Sequence, residues 1–148
     1  MIVDADACPV KDEVYRVAKR YGLQTLVVAN SPMGVPRDAL VELVVVGGDF
    51  NAADDWIAEQ ITAADIAITA DIPLAARCLE KGARALDPKG REFTPDSIGD
   101  ALASRELMAH LREIGDITGG PKPFTARDRS NFLQALDRLV HAVRKSGS

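Results

Sequence analysis

The sequence has few aromatic residues, only two cysteines and no long apolar run. Aromatic residues make up 5% of the 148 residues, so we expect a core built from Val, Ile, Leu and Ala. No apolar stretch approaches the roughly 20 residues that a transmembrane helix needs, which predicts a protein without a membrane span. The chain also begins without the basic segment of a secretory signal, so we expect none.

The cysteines and histidines are too scattered to predict a zinc or thiol site. Cys8 and Cys78 form no CxxC pattern, which favours a reduced, cytoplasmic protein. His110 and His141 fall late in the chain without metal-type spacing, so neither a zinc site nor a Ser-His-Asp triad is predicted. The glycine pairs match neither a Walker A nor a dinucleotide-binding fingerprint, so we expect no nucleotide cofactor.

The net charge of −4 is unevenly distributed along the chain. Residues 119–148 contain six Lys or Arg and two acidic residues, a net charge of +4, which leaves −8 on residues 1–118. An acidic body with a basic tail suits a metal site beside a phosphate-binding surface. An ordinary solvated helix explains the tail equally well.

Apolar strands alternate with helical segments over the first part of the chain, a pattern typical of a parallel sheet covered on both faces. Strands are predicted at the start of the chain and at residues 23–29, 42–46, 65–69 and 84–86. Helices are predicted at residues 9–21, 51–62 and 72–81. We therefore expect an α/β protein with a parallel sheet of about five strands.

The last third of the chain is predicted to be helical but to belong to the same domain. We expect one domain over residues 1–148, with an α/β core at 1–92 and a helical part at 93–148. Two C-terminal helices are predicted there, separated by a Gly- and Pro-rich linker at residues 115–124. The first is expected to start at Pro95, after an N-cap at Thr94, and the second to follow a capping box formed by Thr125 and Asp128.

Several aspartates are expected at the carboxyl ends of the strands, the edge at which α/β sheets bind ligands. Asp4 and Asp6 would point the same way if the first strand continued through both. Asp71 follows the fourth strand directly and therefore lies at the same edge. Asp65 begins that strand and is expected at the opposite edge, roughly 20 Å away.

The helix after the third strand adds a further acidic residue to this edge. Asp54 lies three residues before Ile57, on the face expected to be buried. Asp55 is rotated by about 100° toward solvent. We therefore include Asp54 and not Asp55 in the candidate site.

Four converging carboxylates repel one another strongly unless a cation neutralises them. Oxygen ligands of this kind suit Mg²⁺ or Mn²⁺, which can promote in-line cleavage of a phosphodiester. Three of these residues also have a purely structural explanation. Asp71 and Asp6 could be helix caps, and Asp54 could be an acid favoured by a helix dipole. Asp4 is harder to explain structurally, since a carboxylate within an apolar run costs several kcal/mol unless it is paired.

Four segments together resemble the YaiI/YqxD family, a bacterial family of unassigned function. These are VDADACPV at residues 3–10, ITADIPLA at 68–75, the turn at 88–90 and GGPKPF…RDR at 119–129. The resemblance covers essentially the whole chain in order. This family is similar to PIN-like and NYN-type domains, which have a Rossmann-like fold and whose nucleases cut RNA with a Mg²⁺ or Mn²⁺ ion held by acidic residues.

The resemblance implies roles for the same aspartates. Asp4 or Asp6 would be the first-strand acid, Asp54 the helical acid and Asp71 the acid after the fourth strand. The family pattern usually has an acid where this chain has Asn51. Its amide oxygen can still bind a metal, but the site loses one negative charge.

The first functional hypothesis is therefore a metal-dependent ribonuclease with Mg²⁺ or Mn²⁺ at Asp4, Asp6, Asp54 and Asp71. The residues expected to contact RNA phosphates or line the same crevice are Asn30, Ser31, Lys122, Arg127 and Arg129.

Two alternatives remain. The opening DxD also resembles a HAD-like phosphatase, with Asp4 as nucleophile, Asp6 as acid/base and Thr69 in its second motif. The chain is short for that fold, and the usual Gly-Thr-Leu after DxD is absent. The other alternative is an RNA- or protein-binding module of the same fold without catalysis, which Asn51 and the acidic net charge would fit.

Overall fold

The computed structural model describes residues 1–6, 8–49, 51–115 and 123–146, with the backbone alone for residues 145–146. Its strands are β1 (Ile2–Asp4), β2 (Thr25–Ala29), β3 (Val41–Val45), β4 (Ile66–Ile68), β5 (Arg84–Leu86) and β6 (Glu92–Phe93). Its helices are α1 (Lys11–Tyr21), α2 (Ala52–Gln60), α3 (Ile72–Glu80), α4 (Ile98–Glu113) and α5 (Ala126–Ser146).

All six strands form one sheet in the order β3-β2-β1-β4-β5-β6. The first five are parallel, and β6 is antiparallel to β5. The chain starts in the middle of the sheet, runs outward to β3 and then returns to place β4 beside β1. This Rossmann-like α/β order confirms the predicted fold class, and it puts the point where the order reverses between β1 and β4.

Successive residues of β1 face opposite helical layers. Val3 packs in a cluster with residues of α1 and α5, whereas Ile2 packs with residues of α2 and α3. Most buried side chains are Val, Ile, Leu and Ala, as the scarcity of aromatic residues predicts. Phe132 on α5 is fully buried against α1 and the sheet.

Three predicted helix boundaries are confirmed. Gly22 ends α1 in the left-handed conformation at φ 64°. Asp71 caps α3, because its Oδ1 accepts a 2.9 Å hydrogen bond from the backbone N–H of Leu74. Thr125 and Asp128 form a reciprocal capping box before α5, with hydrogen bonds of 3.0 and 3.1 Å.

Two other predicted helix starts were too early. The first helix begins at Lys11 rather than at Pro9, because Val10 is the cap residue. The helix expected from Pro95 begins at Ile98, because Thr94 and Ser97 first form a hydrogen-bonded turn. None of the helices within the described ranges is long and apolar enough to cross a lipid bilayer.

The strand β6 was not predicted, and it lies across the expected boundary between residues 92 and 93. It follows a tight turn in which Asp87 Oδ1 accepts hydrogen bonds from the backbone N–H groups of Lys89 and Arg91. Two residues are too few to show the alternation that identifies a strand. The helical part of the chain is thus joined to the sheet through β6, which pairs with β5. Most of the predicted linker, residues 116–122, lies outside the described residues.

Candidate functional site

The candidate site lies at the carboxyl edge of the sheet, where β1 and β4 are neighbours. Asp4 is the last residue of β1, and Asp71 follows β4 at the start of α3. Asp54 lies in the first turn of α2. We call Asp4, Asp6, Asp54 and Asp71 the carboxylate cluster, because the charges of the other three all act on Asp4. The structure therefore brings these side chains to one edge of the sheet, as predicted.

Asp4 is the most constrained member of the cluster. Its carboxylate is half-buried, and its Oδ2 accepts a 2.8 Å hydrogen bond from the hydroxyl of Thr69. The pKa of Asp4 is raised to about 6, mainly by burial and also by the charges of Asp54, Asp6 and Asp71, against the lowering effect of the hydrogen bond from Thr69. The site therefore holds a carboxylate that is costly to ionise without a compensating positive charge.

Asp54 and Asp55 point in different directions, as the helical period predicts. Asp54 is half-buried, and its pKa is raised by burial and then by the charge of Asp71. Asp55 is exposed and forms a 2.8 Å ion pair with Arg77. Arg77 also acts on Asp54, where its charge lowers the pKa. The helix thus turns one carboxylate toward the cluster and one toward solvent.

Asp71 combines the structural role expected of it with a place in the cluster. Its carboxylate caps α3, and its backbone N–H donates a 3.0 Å hydrogen bond to Oγ1 of Thr69. Thr69 thereby connects Asp71 to Asp4. The charge of Asp71 raises the pKa of both Asp4 and Asp54. A capping role and a ligand role therefore do not exclude each other here.

Asp6 is placed differently from the expectation of a strand running through both acids. β1 ends at Asp4, and Asp6 lies exposed in the turn that follows. The alternation argument therefore does not apply to it, although its charge still reaches Asp4 and Asp54. Of the four cluster members, Asp6 is the one that solvent screens most.

The family model described as "Uncharacterized BCR, YaiI/YqxD family" matches residues 2–142. The chain belongs to the YaiI/YqxD family. The resemblance inferred from its motifs is thus confirmed.

Curated relatives of this YaiI/YqxD chain carry the name UPF0178 protein, which states no activity. One from Rhodospirillum centenum is 58% identical, over 98% of this chain and 97% of its own length. Others from Gluconacetobacter diazotrophicus and Brucella ovis are 57% and 53% identical, over 98% and 99% of this chain and 94% and 92% of their own lengths. No solved structure shows a significant match.

Asn51, at the position where the resemblance led us to expect an acid, lies immediately before α2. It is exposed, and its backbone N–H donates a 3.0 Å hydrogen bond to Oδ1 of Asp49. Its side chain makes no capping hydrogen bond to the helix. The amide is therefore available at the end of the helix that carries Asp54.

The residues predicted to contact phosphate are dispersed. Asn30 and Ser31 are exposed just after β2, at the same edge of the sheet as the cluster. Arg127 is exposed in the first turn of α5, and Lys122 lies outside the described residues.

Arg129 is engaged within the protein. Its guanidinium donates a 2.8 Å hydrogen bond to the carbonyl of Pro9 and pairs at 3.0 Å with Glu13. It also lies 5.1 Å from the ring centre of Phe124. The start of α5 therefore lies beside the loop that follows β1.

The sequence did not predict the contacts that two residues make beside the carboxylate cluster. Thr69, considered only for a phosphatase motif, is the hydrogen-bond partner of Asp4. Lys11 donates hydrogen bonds of 3.3 and 2.9 Å to the carbonyls of Ala5 and Cys8 and so holds the loop after β1. Its position in the first turn of a helix gave no signal of this contact.

Cys8 itself is buried with a raised pKa, which is the opposite of an activated thiolate.

Proposed function

We propose that this protein is a metal-dependent nuclease that cleaves RNA at the carboxylate cluster. The observation that carries the proposal is Asp4, a half-buried carboxylate at the reversal point of the sheet with three further carboxylates acting on it. Ligands of Rossmann-like folds bind at this point. Capping and the helix dipole account for Asp71, Asp6 and Asp54 one by one, but they give no reason for a half-buried Asp4 among them.

The chemistry of the donor set suits a hard divalent cation. All four members offer carboxylate oxygens, the ligands that Mg²⁺ and Mn²⁺ prefer. In the parts of the chain that the structure describes, no three His, Cys, Asp or Glu side chains are grouped closely enough to hold a metal ion. Mg²⁺ is commonly held by one or two carboxylates together with substrate phosphates and water, so the RNA itself would complete the site.

The protein's own groups orient this site. Thr69 fixes Oδ2 of Asp4 and leaves Oδ1 without a hydrogen bond among the described residues. The N–H of Asp71 fixes Thr69 in turn, and Lys11 holds the adjacent loop through two carbonyls. When bound, the metal would lower the pKa of a water molecule and stabilise the charge that develops on the phosphodiester.

The contact between Thr69 and Asp4 also favours a second candidate, a HAD-like phosphatase. In that reading Asp4 is the nucleophile and Thr69 belongs to the second motif, which the 2.8 Å hydrogen bond fits. Fluoroberyllate mimics a phosphoryl group on aspartate, so binding of it that depends on Asp4 would favour the phosphatase. Absence of such binding would count against it.

The nuclease proposal is tested with mixed-sequence RNA and Mn²⁺, comparing the wild type with Asp4→Asn. We expect wild-type cleavage and a loss of about 100-fold or more in the variant, because charge stabilisation by a metal contributes several kcal/mol. Asp55→Asn is the matched control, since Asp55 is exposed on the same helix as Asp54. Cleavage by Asp4→Asn at the wild-type rate, or no cleavage by the wild type with Mn²⁺, would contradict the proposal.

A further inference from the structure

A groove of about 850 Å³ lies beside the carboxylate cluster, between α4, β6 and the loops that follow β4 and β5. Arg91, Arg105 and Arg112 contribute to its walls, together with the apolar side chains of Phe93 and Met108. None of these residues was predicted to bind a ligand. The groove depends on β6 and on the position of α4, neither of which the sequence predicts.

The arginines of α4 form a single stripe that faces the groove. Arg105, Met108 and Arg112 are spaced at i, i+3 and i+7, so they lie on one side of the helix. Among the described residues, the guanidinium groups of Arg105 and Arg112 have no hydrogen-bond or ion-pair partner. Two guanidinium groups are therefore free to bind an anion.

The acidic residues in the groove walls already have partners. Glu92 forms a 3.0 Å ion pair with Arg84. Asp87 accepts backbone hydrogen bonds from Lys89 and Arg91 in the turn before β6. Asp87 keeps its negative charge, because backbone N–H groups are neutral, but Arg91, Arg105 and Arg112 leave an excess of positive charge in the groove walls of a protein whose net charge is −4.

The groove and the carboxylate cluster share one loop. Ala70 and Ile72 both line the groove, and Asp71 lies between them in the chain. A polyanion that binds to the arginines would therefore lie next to the carboxylate cluster. The groove also exposes Met108 and the partly buried ring of Phe93 to its occupant.

We propose that this groove binds single-stranded RNA, with Arg91, Arg105 and Arg112 contacting phosphates and Phe93 and Met108 contacting bases. A cationic groove with an aromatic side chain is typical of single-strand binding, because unpaired bases can stack while the backbone follows the positive charge. The inference rests on the proposed function in that the strand would continue into the carboxylate cluster. It moves the main phosphate contacts from the start of α5 to α4.

The test measures binding of a fluorescent single-stranded RNA oligonucleotide without divalent metal, so that cleavage plays no part. We compare the wild type with the double variant Arg105→Ala/Arg112→Ala over a range of salt concentrations. Each phosphate contact to a single strand contributes about 0.7 to the slope of log K against log salt, so the slope should fall by about 1.4. Affinity at low salt should fall roughly 10-fold.

The control is the double variant Arg16→Ala/Lys19→Ala, which removes the same charge from exposed positions on α1. It should retain the wild-type slope. A duplex of the same sequence should bind more weakly than the single strand, because its bases cannot reach Phe93. Equal binding of duplex and single strand, an unchanged slope in the groove variant, or no binding by the wild type would overturn the inference.

This binding test separates the groove from the nuclease proposal. Binding that depends on Arg105 and Arg112, without cleavage by the wild type, would support the groove and reject the nuclease. Cleavage that depends on Asp4 but is unaffected in the groove variant would support the nuclease and reject the groove.

Discussion

The hydroxyl of Thr69 donates a 2.8 Å hydrogen bond to Oδ2 of Asp4 across the two strands at which the sheet order reverses. Val3 pairs with Ile68 in the register of these strands, so Asp4 and Thr69 are the next residues along. Thr69 is buried, and the N–H of Asp71 donates to the same hydroxyl oxygen. One side chain thus sets the position of two members of the carboxylate cluster.

Replacing Thr69 should change the titration of Asp4. The hydrogen bond from Thr69 lowers the pKa of Asp4, so Thr69→Val should raise that pKa above about 6. Thr69→Ser keeps the hydroxyl and should leave the pKa near the wild-type value. Carboxyl NMR titrations of the two variants check this. Equal pKa values for Asp4 in both would show that the hydrogen bond does not act on this carboxylate.

The substitution Asp4→Asn should stabilise the protein at neutral pH. The folded-state pKa of Asp4 is raised from 3.8 to about 6, so this group favours folding below about pH 3.8 and loses that contribution as the pH rises through about 6. Removing the charge should therefore increase the free energy of unfolding at pH 7 by about 2 kcal/mol, allowing for screening of its exposed part.

Urea unfolding of the wild type and Asp4→Asn at pH 7 and at pH 4 measures this effect. The gain should be present at pH 7 and should largely disappear at pH 4, where wild-type Asp4 is mostly protonated in the folded state. Asp55→Asn, at an exposed position, should show no comparable gain. A variant less stable than the wild type at pH 7 would mean that the charge of Asp4 supports the fold.

The convergence of Asp4, Asp54 and Asp71 could be predicted because it depends on local pattern alone. Parallel strands end at the same edge, and the helical period separates Asp54 from Asp55. Asp6 was misplaced because only the structure shows where β1 ends. Thr69 could not be assigned to Asp4 from sequence, since their contact spans 65 residues and depends on the register of β4 against β1.

The arginine groove escaped prediction for a different reason. A strand of two residues such as β6 has no readable alternation, and α4 has no buried residue that would indicate which face it presents. The positive charge of residues 119–148 favoured Arg127 and Arg129 as the phosphate contacts instead. Arg129 proved to be paired with Glu13, whereas the guanidinium groups of α4 are unpaired among the described residues.

Gly90 should be intolerant of a side chain. Its φ is +90°, and a Cβ atom there would lie 2.8 Å from the carbonyl oxygen of Asn131 on α5. Gly90→Ala should therefore lower the free energy of unfolding by about 1–3 kcal/mol, through backbone strain and displacement of α5.

Gly99→Ala is the matched control for this substitution. Gly99 lies in α4, and an added Cβ would meet nothing within 4 Å. Alanine should stabilise that helix by about 0.5–1 kcal/mol. Thermal unfolding of both variants gives the comparison, and equal stabilities would contradict the close approach of the turn before β6 to α5.

The central claim is that the carboxylate cluster holds a divalent metal together with RNA. Calorimetric titration of Mn²⁺ tests it most directly, on the wild type, Asp4→Asn and Asp55→Asn, each alone and with an RNA oligonucleotide whose bridging 3′-oxygens are replaced by methylene groups, so that water cannot cleave it. We predict binding to the wild type and to Asp55→Asn, strengthened by the oligonucleotide, and its loss in Asp4→Asn. No Mn²⁺ binding by the wild type under either condition, or equal binding by all three proteins, would contradict the claim and leave these acids as caps and structural groups.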